Sequence, residues 1–177
     1  MLFAKHLGLI VDNTVFLAND GIHEAWIDRN IITVTIRPVK RGSELLGGIW
    51  LDTGSPHLVV MVSNLNHHKV ALDGPMYRNH EDMSPDGANI NFVEQLDDER
   101  FSVRTYERGV ERETLSCGTG AVAVALAMHQ TKRTAKTKLK IEMPGGHLEV
   151  SFDLSSKGYD NIRLSGPASF VFKGEWS

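Results

Sequence analysis

From Ala121 to Met128 the chain reads Ala-Val-Ala-Val-Ala-Leu-Ala-Met, apolar around the whole circumference of a helix rather than along one stripe. A helix of that kind has to be enclosed on every side, and the rest of the sequence supplies what would enclose it. Most of it alternates with the period of two of half-buried strands. Ile32, Val34 and Ile36 face one way while Thr33, Thr35 and Arg37 face the other, and Phe101-Ser102-Val103-Arg104 repeats the pattern. Leu139, Ile141 and Met143 alternate with Lys140 and Glu142, Pro144-Gly145-Gly146 turns the chain, and Leu148, Val150 and Phe152 answer, which predicts a hairpin. His57-Leu58-Val59-Val60-Met61-Val62 is continuously apolar, as in a strand covered on both faces. The predicted fold class is α+β: antiparallel strands forming a barrel around a central apolar helix that runs from Ala121 to Gln130, with small alanines letting the sheet close. Tyr77 to Gly87 reads as a long polar surface loop.

The bulk numbers narrow the partners. A chain of 177 residues with 41% hydrophobic and 23% charged content is long enough for one good core or two small ones. A net charge of −3 argues against a nucleic-acid or anionic-membrane surface, so any anion must be caught locally. The basic run Thr131 to Lys138 follows the helix, where cations suit the C-terminal dipole, and reads as a solvated loop. A single cysteine excludes an internal disulfide, and without a secretory or membrane-length apolar run the expected location is cytoplasmic. At the other end, Met1 to Leu9 resembles the last turns of a helix and its glycine stop.

That lone cysteine, Cys117, lies in Ser116-Cys117-Gly118-Thr119-Gly120, directly before the apolar helix. Unpaired N–H groups at a helix start favour a thiolate and bind carboxylates, and a thiol there can ionise at about 3.5–7.5 instead of about 8.5. The residues alone leave a second reading open, an inert small hydrophobe. Just upstream, Glu107 and Arg108 would point to opposite faces of a regular strand, but beside Gly109 the alternation can break. They are then either an exposed charge pair of little worth or a carboxylate and a guanidinium in one cleft. A carboxylate, an arginine and a helix-start thiol together describe a site for an amino acid.

Tyr106-Glu107-Arg108-Gly109, Glu113-Thr114 and Ser116-Cys117-Gly118-Thr119-Gly120 resemble the signature of the diaminopimelate epimerase family. Gly54-Ser55-Pro56-His57 and Asn89-Ile90-Asn91-Phe92-Val93 fall at matching distances upstream, and the resemblance runs through Leu164-Ser165-Gly166-Pro167. It implies a cofactor-independent, metal-free isomerase of lysine biosynthesis with diaminopimelate as its small-molecule substrate. It also implies two lobes, each a barrel around a helix, and two cysteines that work as base and acid on opposite faces of the α-carbon. Position by position, Cys117 matches a catalytic cysteine, Gly118 and Thr119 the backbone donors to the substrate carboxylate, and Glu107 and Arg108 the pair handling the amino and distal carboxylate groups. Asn89 matches a substrate-binding asparagine and His57 a histidine that supports the acid–base machinery. Ser55 stands where the family usually has asparagine. His67-His68 matches no family site and reads as loop residues.

The resemblance further implies that residues 1–40 and 166–177 are remnants of the first lobe and that 41–165 form the complete second lobe. The first lobe's cysteine motif has no counterpart before Phe3-Ala4-Lys5-His6-Leu7-Gly8-Leu9. The expectation is a fragment inactive alone as an epimerase, with at most one-sided exchange of the α-proton, and with exposed strand edges that either pair as a homodimer or are poorly ordered. Two further readings stay open: a related amino-acid racemase, and a non-catalytic ligand-binding or assembly module.

Overall fold

A computed structural model describes residues 1–83 and 85–175. After a short helix α1 (Leu2–His6) come strands β1 (Asn13–Ala18), β2 (Gly21–Asp28), β3 (Ile31–Ile36), β4 (Val39–Lys40), β5 (Ser43–Leu45), β6 (Gly48–Asp52) and β7 (Pro56–Met61). Helix α2 (Val70–Arg78) leads to β8 (Asn89–Gln95), β9 (Arg100–Glu107) and β10 (Arg112–Thr114). Helix α3 (Gly118–Gln130) precedes β11 (Lys138–Met143), β12 (Gly146–Leu154) and β13 (Gly158–Pro167). Among the described residues all strands join one sheet, in the order β1-β2-β3-β13-β12-β11-β9-β8-β7-β6-β5, with β10 on β9 and β4 on β13.

The sheet curls around α3, whose residues Gly120 to Met128 are all buried. Val59, Val93, Phe101, Val103, Leu139, Ile141, Val150, Phe152, Tyr159 and Ile162 pack against it from the surrounding strands. Each fully buried side chain of this size contributes roughly 1.5–3 kcal/mol, which offsets the cost of ordering so many strands around one rod. At the C-terminal end of α3, Gln130 exchanges two 2.8 Å hydrogen bonds with the Gly42 backbone, drawing the chain between β4 and β5 against the helix. Gly42 is required there, because a Cβ would sit 2.5 Å from the Trp50 carbonyl oxygen. The Pro144-Gly145 turn joins β11 to β12 with Met143 opposite Gly146, the hairpin expected from the alternation.

Two expectations need correction. The barrel is not wholly antiparallel: β7–β8 and β9–β11 run parallel. Parallel neighbours need a long crossover, and α2 and α3 lie on the two crossovers. The stretch from Tyr77 to Gly87 is not all surface loop: Tyr77 and Arg78 end α2, Glu81–Met83 form a 3₁₀ turn, and Met83 is buried. Gly74 and Pro75 lie inside α2 despite their poor helix propensity. Packing overrides it: at Gly74 the Tyr106 ring approaches so closely that a Cβ would lie 2.5 Å from it. This layer, with Leu58, Leu65, Val70, Ile90 and Phe92, forms a second core outside β7–β9. It explains why His57 to Met61 is apolar without alternation. Within the same layer, His68 lies in the loop before α2, as expected, with its ring packed on Phe92 at 4.3 Å.

On the far side the sheet continues through β13 into β3, β2 and β1. There His23 is buried, its Nδ1 2.6 Å from the Thr35 carbonyl oxygen and its Nε2 2.9 Å from Asp20 Oδ1. Both neighbours accept, so both ring nitrogens donate and the imidazolium is favoured. The Thr35 carbonyl, with Asp20 behind it, raises the His23 pKa above the ordinary value. Its stabilising contribution is therefore fully present below the unfolded-state pKa of about 6.5 and is lost as pH rises through the folded-state value. In denaturant titrations, the stability difference between the parent chain and His23→Gln should shrink from mildly acidic to alkaline pH. A difference that grows with pH would show that the ring is held neutral.

Candidate active site

The inner face of the barrel changes character where α3 begins. Strand alternation points Val59, Val93, Val103 and Phe101 at the middle of the helix. The same faces end in His57 on β7, Asn89 and Asn91 on β8, and Thr105 on β9, all buried. Register brings these polar groups level, with His57 opposite Asn89 and Asn91 opposite Thr105.

Cys117 is the N-cap residue of α3, with extended backbone angles of φ −133° and ψ 107°. The first bond of the helical ladder runs from Ala121 N–H to the Cys117 carbonyl at 2.9 Å, so the N–H groups of Gly118, Thr119 and Gly120 precede that ladder. Ser116 Oγ and Cys117 N–H each lie 3.5 Å from Met143 Sδ, which ties the approach to the helix to β11. Gly120 has no room for a side chain: a Cβ would fall 2.5 Å from Asn91 Oδ1 and 3.2 Å from Cys117 Sγ.

The thiol is 7% exposed. Burial pushes its pKa up, and the Glu107 carboxylate adds to that push, while the Thr119 hydroxyl and the Thr119 and Gly120 N–H groups pull it down. The balance differs from the expected lowering at a helix start. In the free chain, desolvation outweighs the helix terminus, and Cys117 rests as the thiol.

Behind the thiol lies a hydrogen-bonded cluster. Thr119 Oγ1 is 3.6 Å from Cys117 Sγ and 3.1 Å from His57 Nε2, which in turn is 3.0 Å from Ser55 Oγ. His57 is fully enclosed; burial first, then the Arg108 charge, lowers its pKa to about 3 despite the bond from Asn91, so the ring is neutral at physiological pH. Asn89 Nδ2 donates to the Pro56 carbonyl at 3.2 Å, and its Oδ1 accepts from Arg108 N–H at 2.9 Å. Glu107 ends β9 and accepts a short hydrogen bond from Thr114 Oγ1 across the β9–β10 hairpin. The turn of that hairpin holds Gly109 at φ +85°. The Arg108 guanidinium bonds the Asp86 carbonyl at 3.3 Å and lines a cleft of about 480 Å³ with Asp52, Pro56 and Asp82.

The structure thus gathers Ser55, His57, Asn89, Thr119 and Cys117 into one bonded cluster. Glu107 is near enough for its charge to act on the thiol, and Arg108 is joined to the cluster through its backbone. Gly118 opens the helix beside Cys117. Sequence reasoning missed Asn91 and Thr105. The signal for Asn91 was present in Asn89-Ile90-Asn91, because residues two apart on a strand share a face. Among the described residues no cluster of His, Cys, Asp and Glu has the grouping of a metal site, and no helix is long and apolar enough to cross a membrane.

Comparison with known proteins adds independent findings. The family model described as diaminopimelate epimerase matches residues 49–171. The diaminopimelate epimerase of Flavobacterium psychrophilum is 45% identical over 172 residues, which cover 97% of this chain and 67% of the relative. That of Chlorobaculum tepidum is 39% identical over 166 residues, covering 90% of this chain and 63% of the relative. The chain spans about two thirds of the length of the curated relatives it matches. Among solved structures, a hydroxyproline epimerase from Agrobacterium vitis aligns at TM-score 0.63 and 15% identity, covering 93% of this chain and 60% of that one. A phenazine biosynthesis protein of the PhzF family from Enterococcus faecalis aligns at TM-score 0.63 and 15% identity, covering 99% and 70%. At such identity these likenesses speak for the fold alone.

Proposed function

We propose that this chain, which belongs to the diaminopimelate epimerase family, carries one half of a cofactor-independent acid–base site in which Cys117 exchanges the α-proton of diaminopimelate. The observation that carries the reading is the placement of the thiol: it caps the enclosed helix, beside N–H groups ahead of the helical ladder, with the Glu107 charge near enough to act on it and Thr119 joining it to His57. Gly118 and Thr119 offer backbone N–H groups to the α-carboxylate at the positive end of the helix. Glu107 accepts from the amino group, and Arg108 pairs with the distal carboxylate. Ser55 and Asn89 add hydrogen bonds to the substrate, and His57 supports the thiol through Thr119. Burial keeps Cys117 mostly as the thiol, a proton donor to one face of the α-carbon; its minor thiolate form takes a proton from that same face, which is the half-reaction this chain can run alone.

In this reading residues 41–165 are one lobe, and 1–40 with 166–177 belong to its neighbour. Residues 176 and 177 lie outside the described part. The setting is cytoplasmic, where the thiol stays reduced. With one sulfhydryl group the chain alone supplies a single face of the reaction. Incubating it with LL- and meso-diaminopimelate in heavy water should give α-hydrogen exchange without inversion. Interconversion by a homogeneous sample, or no exchange with either isomer, would refute this assignment.

The proposed partner is a second copy. Val15, Leu17 and Ile22 are exposed on one face of β1 and β2, and β1 is paired on one side only among the described residues. Such an apolar edge favours strand pairing. Sedimentation velocity should show a concentration-dependent dimer; a monomer at every concentration would exclude it.

A further inference from the structure

We propose that Asn91, braced by Thr105, is a positioning residue that decides which ring nitrogen of His57 carries the proton and so aims a run of hydrogen-bond donors at Cys117. The inference rests on the reading of Cys117 as an acid–base group.

Asn91 is fully buried, and its amide has one satisfactory orientation. Its Nδ2 lies 3.1 Å from the Leu58 carbonyl oxygen and 3.4 Å from that of Asn89, both acceptors only. Its Oδ1 receives the Thr105 hydroxyl at 3.0 Å. Turning the amide over would set oxygen against two carbonyl oxygens, so Nδ2 is the group that faces His57 Nδ1, at 3.1 Å. A donor there requires Nδ1 to be bare. A neutral ring then carries its proton on Nε2, aimed at the hydroxyls of Ser55 and Thr119.

The Asn89 amide Nδ2 lies 3.5 Å from Nε2, but its two hydrogens have the Pro56 carbonyl at 3.2 Å and Ser55 Oγ at 3.4 Å to go to, so the Nε2 proton keeps its place and the direction of donation follows. Nε2–H gives to Thr119 Oγ1, or to Ser55 Oγ, which lies 3.4 Å from Thr119 Oγ1 and passes its own proton on. Either way the Thr119 hydroxyl hydrogen is free for Cys117 Sγ. In the opposite tautomer Nε2 would claim that hydrogen, and a thiolate would lose a donor. The ionisable groups around this run are few: Glu107 at the end of β9 opposes the thiolate, His57 comes from β7, and Arg108 acts on His57. The nearby Thr119 and Gly120 N–H groups of α3 favour the thiolate.

The full chain labelled with ¹⁵N-histidine tests this without any substrate. Two-bond proton–nitrogen spectra should place the His57 proton on Nε2 across neutral pH. In Asn91→Leu a population protonated on Nδ1 should appear, and the midpoint for alkylation of Cys117 should rise by about one pH unit, a roughly tenfold slower reaction below the midpoint. Thr105→Val should move both readouts the same way by less, and it decides the matter with the parent spectrum if Asn91→Leu does not fold. A proton on Nδ1 in the parent chain, or folded variants with unchanged tautomer and unchanged alkylation profile, would overturn the proposal. Absence of diaminopimelate exchange would instead count against the proposed function and leave these readouts standing.

Discussion

Cys117→Ser is expected to slow α-hydrogen exchange of diaminopimelate in heavy water by about 10²–10⁴-fold, the usual contribution of one positioned acid–base group. Serine keeps nearly the same size at the helix cap, so the barrel and the N–H groups of Gly118, Thr119 and Gly120 stay where they are. What is lost is a group that ionises within reach of neutral pH, because a serine hydroxyl in the same buried pocket holds its proton far more tightly. The loss should therefore fall on turnover, with binding largely retained. Exchange by the serine variant as fast as the parent's would assign the proton transfer to another residue, with Glu107, whose charge acts on the thiol, the carboxylate to examine.

The second large effect is structural. Leu126 sits at the centre of α3 with no exposed surface, and its carbonyl accepts the Tyr159 hydroxyl at 3.2 Å from β13. Leu126→Ala leaves a void inside a sheet that surrounds it on every side and cannot collapse from one direction. A loss of about 2–5 kcal/mol is expected in denaturant-induced unfolding. Against a typical total of about 5–15 kcal/mol this is a large fraction, and the variant should melt well below the parent. A loss smaller than that of an ordinary surface substitution would mean the helix is less tightly enclosed than described.

Several of these features were legible in the residues. Alternating alanines and larger apolar side chains from Ala121 to Met128 mean enclosure wherever they occur, and the turn at Pro144-Gly145 announces its hairpin. The structure only extends that helix back to Gly118. Other features were hidden for physical reasons. Periodicity reports which face a residue takes, not the direction of the neighbouring strand, so the parallel β7–β8 and β9–β11 pairs could not be read. Gly74 and Pro75 look like breakers, and only contact with Tyr106 explains the helix around them. At the site, His57, Asn89, Glu107, Arg108, Gly118 and Thr119 could be named from the resemblance, and Ser55 as the position where the chain departs from it. The ionisation of Cys117 could not: a helix start lowers a thiol pKa and burial raises it, and the winner depends on how closely the barrel shuts around Sγ.

Cys117 is proposed as a buried thiol facing the place where diaminopimelate binds, and its rate of alkylation by iodoacetamide, followed against pH with and without saturating diaminopimelate, decides the matter. The chain without ligand should react with a midpoint above the ordinary cysteine value of about 8.5, and the ligand should suppress the reaction. A midpoint below that value together with a rate indifferent to diaminopimelate would contradict the claim.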